Sequence, residues 1–180
     1  MSGRLGPADG AALLGIARAA LRVRFGLGTQ PPLPDSGPLA EERGAFVTLT
    51  REDELRGCIG SFAPTGSLAQ TVARLAVSAA TEDPRFPPVT ADELDDLDVH
   101  ISVLDPPRRM WAPSDIHLGR DGLLVRLGWH RGALLPRVAV EQGWDAETFL
   151  ERTCLKAGLR PDAWKDPAAV VELFSTEEVG

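Results

Sequence analysis

Two cysteines in 180 residues are too few for a disulfide framework, and both are expected to be reduced. They form no Cys-x-x-Cys pair. The three histidines show no zinc spacing, no His-Glu-x-x-His is present, and no carboxylate cluster of metal type appears. No iron–sulfur ligand set exists either. A P-loop and a dinucleotide fingerprint are both missing, so neither metal nor cofactor is expected. No apolar run approaches about 20 residues, so no transmembrane helix is expected. The stretch Met1-Ser2-Gly3-Arg4-Leu5-Gly6-Pro7 has no apolar segment and is not expected to be a signal peptide. A cytoplasmic protein of bacterial type is the default expectation. Positive charge is scarce, with 19 Lys and Arg against 26 Asp and Glu and a net charge of −7. That balance opposes nonspecific nucleic-acid binding, unless Arg108, Arg109, Arg126 and Arg131 gather on one face. Repeats and low-complexity tracts are absent.

What remains is ordinary globular material, 43% hydrophobic and 25% charged, long enough to bury a core without staples. The 18 glycines and 15 prolines mark turns, because the apolar content is too high for disorder. Pro7 to Phe25 reads as a helix with Asp9 as N-cap, Gly26 as stop, and an apolar stripe of Leu14, Ala17, Leu21 and Phe25. Arg18 and Arg22 fall on its solvated side. A long Gly- and Pro-rich loop follows, either a plain connection or a lid. Ala45 to Thr50 alternates as a strand and pairs as a hairpin with the next stretch across Arg51-Glu52-Asp53-Glu54. Ser67 and Gln70 form a capping box for a helix that buries Leu68, Val72, Leu75, Ala76 and Ala79. After a short capped turn at 90–96, Leu97 to Leu104 is the clearest strand. Ile116-His117-Leu118 reads as a strand, Asp121-Gly122 as a hairpin turn, and Leu123 to Trp129 as the next strand. Asp145 caps a last helix that buries Cys154 and ends at Gly158. Val170 to Phe174 permits an edge strand.

The chemistry concentrates in Leu55-Arg56-Gly57-Cys58-Ile59-Gly60. A regular strand would place Arg56 and Cys58 on one face, about 6–7 Å apart, where the guanidinium would favour thiolate over thiol. Gly57 and Gly60 would admit close approach of a backbone or ligand. The plainer reading makes Cys58 a buried, inert residue and the glycines marks of a bulge. Glu82-Asp83-Pro84-Arg85-Phe86-Pro87-Pro88 brings two acids and an arginine to a rigid turn. It is either a helix stop with a local Asp–Arg pair or a source of proton-transfer partners for Cys58. His100 on the strand 97–104 is another candidate base or a partly exposed sheet residue.

The six-residue stretch resembles the signature of the AMMECR domain family. Phe46-Val47-Thr48-Leu49 precedes it at the family's spacing, and residues 82–88 match the family's stretch after the second helix. The strand 97–104 with its following proline pair also agrees. So do Leu134-Leu135-Pro136, Glu141-Gln142-Gly143-Trp144, Cys154, Lys156-Ala157-Gly158-Leu159 and Trp164. The resemblance runs from Ala11 onward. It departs at Arg137, where glutamine is common, and at His100, where glutamate is common. It implies an α+β fold, a mixed or antiparallel sheet packed with helices, in one domain over 1–180 with a larger lobe carrying the signature and a smaller lobe within about 105–136. It also implies Memo-type and radical-SAM proteins as partners in a modification pathway.

Two functions follow as expectations. One is a noncatalytic ligand-binding or scaffold module, with Gly57, Gly60, Asp83 and Arg85 as binding residues for a small molecule. The other is a cysteine-dependent enzyme acting on a small molecule or protein. There Cys58 would be the nucleophile, Arg56 its activating cation and Glu82 a proton carrier.

Overall fold

The computed structural model describes residues 3–180; Met1 and Ser2, where the reading of the amino-terminal stretch begins, lie outside the described residues. The fold is α+β, with two four-stranded sheets and their helices. The chain divides into two compact units, residues 1–104 with 177–180 and residues 105–176. No described helix is long and apolar enough to cross a membrane.

The first unit holds strands β1 (Ala45–Arg51), β2 (Glu54–Ser61), β3 (Asp98–Leu104) and β8 (Thr176–Val179) in the order β2-β1-β3-β8. Helices α1 (Pro7–Arg24) and α2 (Leu68–Thr81) share its core. Alternation decides the faces: Ala45, Val47 and Leu49 are sealed, as are Val99, Ile101 and Val103 opposite them. Leu68, Val72, Leu75, Ala76 and Ala79 of α2 fill the same core as Leu13, Ala17 and Leu21 of α1. Ser67 caps α2 as expected, with its Oγ accepting from the Gln70 amide at 3.2 Å.

Helix α1 starts at Pro7 as its pattern suggests, but Asp9 is not its N-cap. Gly6 is the N-cap, and the Asp9 carboxylate reaches back to accept from the Gly6 amide at 2.8 Å. An acid in the first turn does this as well as one at the cap itself. The buried stripe is Leu13, Ile16, Ala17, Ala20 and Leu21, with Leu14 and Phe25 only partly covered. Strand β8 was not legible, because Thr176-Glu177-Glu178-Val179 carries two acids and little apolar pattern. It is held by side-chain bonds: Ser102 Oγ donates to Glu178 at 2.7 Å, and the buried Arg43 guanidinium meets Glu177 at 2.7 Å.

The second unit orders its strands β4-β7-β5-β6. These are β4 (Arg108–Arg109), β5 (Gly122–Leu127), β6 (His130–Leu134) and β7 (Val170–Phe174). Helices α3 (Pro136–Glu141) and α4 (Ala146–Lys156) contribute Ala139, Phe149, Leu150 and Cys154 to its core. Asp145 caps α4 through the Thr148 amide at 2.8 Å, and burial pushes the Cys154 thiol pKa up. Three expectations fail here. Residues 116–118 form no strand, because the Asp121 carboxylate takes the His117 amide at 2.9 Å and closes a turn. Gly122 therefore opens β5 instead of serving in a hairpin turn. Strand β7 lies between β4 and β5, so it is not an edge.

Glycine positions separate packing from freedom. A Cβ at Gly57 would lie 2.0 Å from the Ala79 carbonyl oxygen of α2, whereas one at Gly15 on α1 would meet nothing within 4 Å. Gly57→Ala should lower stability by about 1–3 kcal/mol through overpacking. Gly15→Ala should raise it by about 0.5–1 kcal/mol. Urea unfolding of both variants checks the pair.

Candidate functional site

The β1–β2 hairpin turns at Glu52 and Asp53, both with positive φ (52° and 62°), and then loses its regular register. Leu49 pairs with Gly57, but Thr50 pairs with Leu55, so Arg56 is an extra residue bulged out of the ladder. This overturns the expected strand geometry. Leu55 is 40% exposed. Arg56 gives its guanidinium to Glu93 through Nε–Oε1 (2.8 Å) and Nη2–Oε2 (3.1 Å), and to the Pro87 carbonyl at 2.7 Å. Arg51 also approaches Glu93, at 3.5 Å. Arg56 draws the Glu93 carboxyl down to about 2, against an opposing effect of burial and with help from the Thr90 amide.

Cys58 is half-buried on the sheet face opposite the helices. It stands across from Thr48, which stands across from His100. The Thr48 hydroxyl and the Cys58 sulfur are 3.2 Å apart. His100 is exposed and two strand spacings away, about 10 Å. The residues that do reach Cys58 are Asp83 and Arg85. The buried Asp83 carboxylate accepts from the Cys58 amide at 2.9 Å and from Arg85 at 2.7 and 3.0 Å. Arg85 holds the Asp83 carboxyl well below the usual carboxylate range, and the Cys58 amide adds to this in spite of burial. An acid held so firmly ionised is a poor proton carrier at neutral pH. The Asp83 carboxylate raises the Arg85 pKa, with Cys58 a lesser contributor, and Arg85 makes a long 3.5 Å contact to the Cys58 carbonyl.

The other sequence candidates separate. Glu82 is the exposed C-cap of α2, and its carboxylate makes no hydrogen bond or ion pair among the described residues. Gly57 faces α2, and a Cβ at Gly60 would strike the Phe46 ring at 2.0 Å, so both glycines are filled by the protein itself. In the second unit Arg108 pairs with Asp121 and Arg126 with Glu172, so acids interleave the arginines that a nucleic-acid face would need. Among the described residues no cluster of three or more His, Cys, Asp or Glu is placed to hold a metal. Sequence reasoning missed Glu93 and Thr48. The Thr90/Glu93 capping box was the available signal for Glu93; the hairpin register was the signal for Thr48.

Glu93 should make stability depend on acid pH. Its folded pKa lies below the unfolded value, so its contribution is present above about pH 4.5 and is lost as the pH falls through about 2. The full effect is at most about 3 kcal/mol. In Glu93→Gln, denaturant midpoints should be lower at pH 7 and should change less between those two pH values.

Residues 14–179 match the AMMECR1 family. A protein of Methanothermobacter thermautotrophicus is 48% identical, over 94% of this chain and 92% of its own length. One from Thermococcus gammatolerans is 46% identical, over 92% and 86%. The crystal structure of an uncharacterised protein from Pyrococcus horikoshii superposes with a TM-score of 0.84 at 43% identity, over 94% of this chain and 89% of that one. These relatives are archaeal. With nearly every residue from 14 onward matched and the fold shared with a solved relative, the chain belongs to the AMMECR1 family.

Proposed function

We propose that this protein is a noncatalytic ligand-binding or scaffold module. One observation carries the reading: the charged groups around the signature are consumed by bonds within the protein. Arg56 is held by Glu93 and the Pro87 carbonyl, and Asp83 by Arg85 and the Cys58 amide. These bonds fasten the strand to the segment 82–93. They supply no activating cation from Arg56 and no proton carrier for the thiol. Memo-type and radical-SAM proteins are the partners this reading carries, on the strength of the family resemblance, in a cytoplasmic modification pathway.

One observation favours the second reading, a cysteine-dependent enzyme: Cys58 is half-buried and its sulfur is 3.2 Å from the Thr48 hydroxyl. In that reading Arg85, not Arg56, is the cation beside the thiol. Labelling with N-ethylmaleimide decides between them. A module should show Cys58 reacting at pH 7 no faster than a free peptide thiol, and Cys58→Ser should keep both fold and partner binding. Labelling about tenfold or more above a free thiol, slowed again in Arg85→Gln, would install the enzyme reading instead.

A further inference from the structure

Arg18 and Arg22 stand one turn apart on α1, where the sequence pattern predicts a solvated face. Both are exposed there, and both also reach the segment 94–99. Arg18 Nη1 donates to the Leu97 carbonyl at 3.1 Å, and Arg22 Nη1 meets Asp95 Oδ1 at 3.0 Å. Between these two contacts opens a cleft of about 80 Å³. Its floor is Leu21, Leu94, Leu97 and Val99, each no more than 7% exposed. The notch therefore runs from two guanidinium groups at the surface down to core side chains of the first unit.

The two ends of the notch ask for different chemistry. At the rim are two cations and one carboxylate, and that carboxylate is already paired with Arg22. Arg18 has five N–H donors and makes one hydrogen bond among the described residues, so its planar fork can take a carboxylate. The apolar floor has room for the equivalent of a few waters, which it would hold poorly, since a retained water needs two or more polar partners. Inorganic phosphate would satisfy the rim and leave the floor wet. A short alcohol would satisfy the floor and leave the rim without its anion. A ligand with an aliphatic tail and a carboxylate head satisfies both.

We propose that this cleft binds a short-chain aliphatic carboxylate, its head on Arg18 and its tail on Leu21, Leu94, Leu97 and Val99. The proposal deepens the ligand-binding reading and rests on it. The same chemistry occurs in a free short-chain acid and at a peptide C-terminus that ends in an aliphatic residue.

The test is an NMR titration of the isotopically labelled full chain with sodium butyrate, N-acetyl-leucine, 1-butanol and inorganic phosphate. Saturable amide shifts confined to 16–24 and 94–99 are expected with butyrate or N-acetyl-leucine. The tighter of those two identifies the free acid or the peptide terminus as the source. Arg18→Gln should weaken that binding about tenfold while lowering the urea midpoint only slightly, because a charge-assisted contact at the rim is lost together with the bond to the Leu97 carbonyl. Binding of 1-butanol or phosphate as tight as butyrate, shifts spread elsewhere, no saturation, or an unaffected Arg18→Gln would overturn the site. A cleft that binds none of these probes while Cys58 labels slowly would remove this site alone and leave the module reading in place.

Discussion

A buried carboxylate joins the signature strand to the segment that follows α2. Asp83 accepts the Cys58 amide on one side and the Arg85 guanidinium on the other. Burying an ionised carboxylate is costly unless its lone pairs are filled, and here they are. The bond to Cys58 is to its backbone, so it fixes the strand whatever chemistry the side chain performs. It also orients Arg85, which would otherwise be a long surface side chain. Ten residues further on, Glu93 does a parallel task with Arg56 and Arg51. Two charge-assisted clamps thus bracket the prolines at 87 and 88 and set where residues 82–93 lie against the sheet.

Packing complements these clamps. Gly57 lets the Ala79 carbonyl come up against β2, and Gly60 lies beneath the Phe46 ring. The alanine-rich face of α2 has the same logic: small side chains bring a helix close to a sheet, and closeness raises the dispersion gained per residue. A stretch rich in apparent chemistry is in large part a description of how tightly a strand, a helix and a loop can be pressed together.

Most of the fold was legible where one local rule acted alone. The alternation of 45–50 and 98–104, the Ser67 capping box, and the Asp145 cap each specify an element without outside help. The failures lie where a distant group overrides the local pattern. Asp121 captures the His117 amide and abolishes a strand, and Glu93 captures Arg56 and bends one. At the site, Cys58, Asp83 and Arg85, each named from the sequence, lie in contact with one another. The sequence misplaced Arg56 because strand periodicity assumes an unbroken ladder. The glycines allowed for a bulge, but nothing within the six residues places it at Arg56, whose partner Glu93 sits 37 positions away.

The bulge has a further meaning for the hairpin. With Arg56 set aside, residues 45–51 face 54, 55 and 57–61 in uninterrupted antiparallel order, and the two-residue turn is unchanged. A chain shorter by that one amino acid would zip into a more regular ribbon, with every ladder amide partnered. Regularity has been given up to swing one guanidinium off the pleat and over to Glu93. The irregular strand is thus an anchoring device in its own right, and a straightened hairpin would leave residues 87–93 to the Val89 amide on the Ala80 carbonyl and to Arg51 on Glu93.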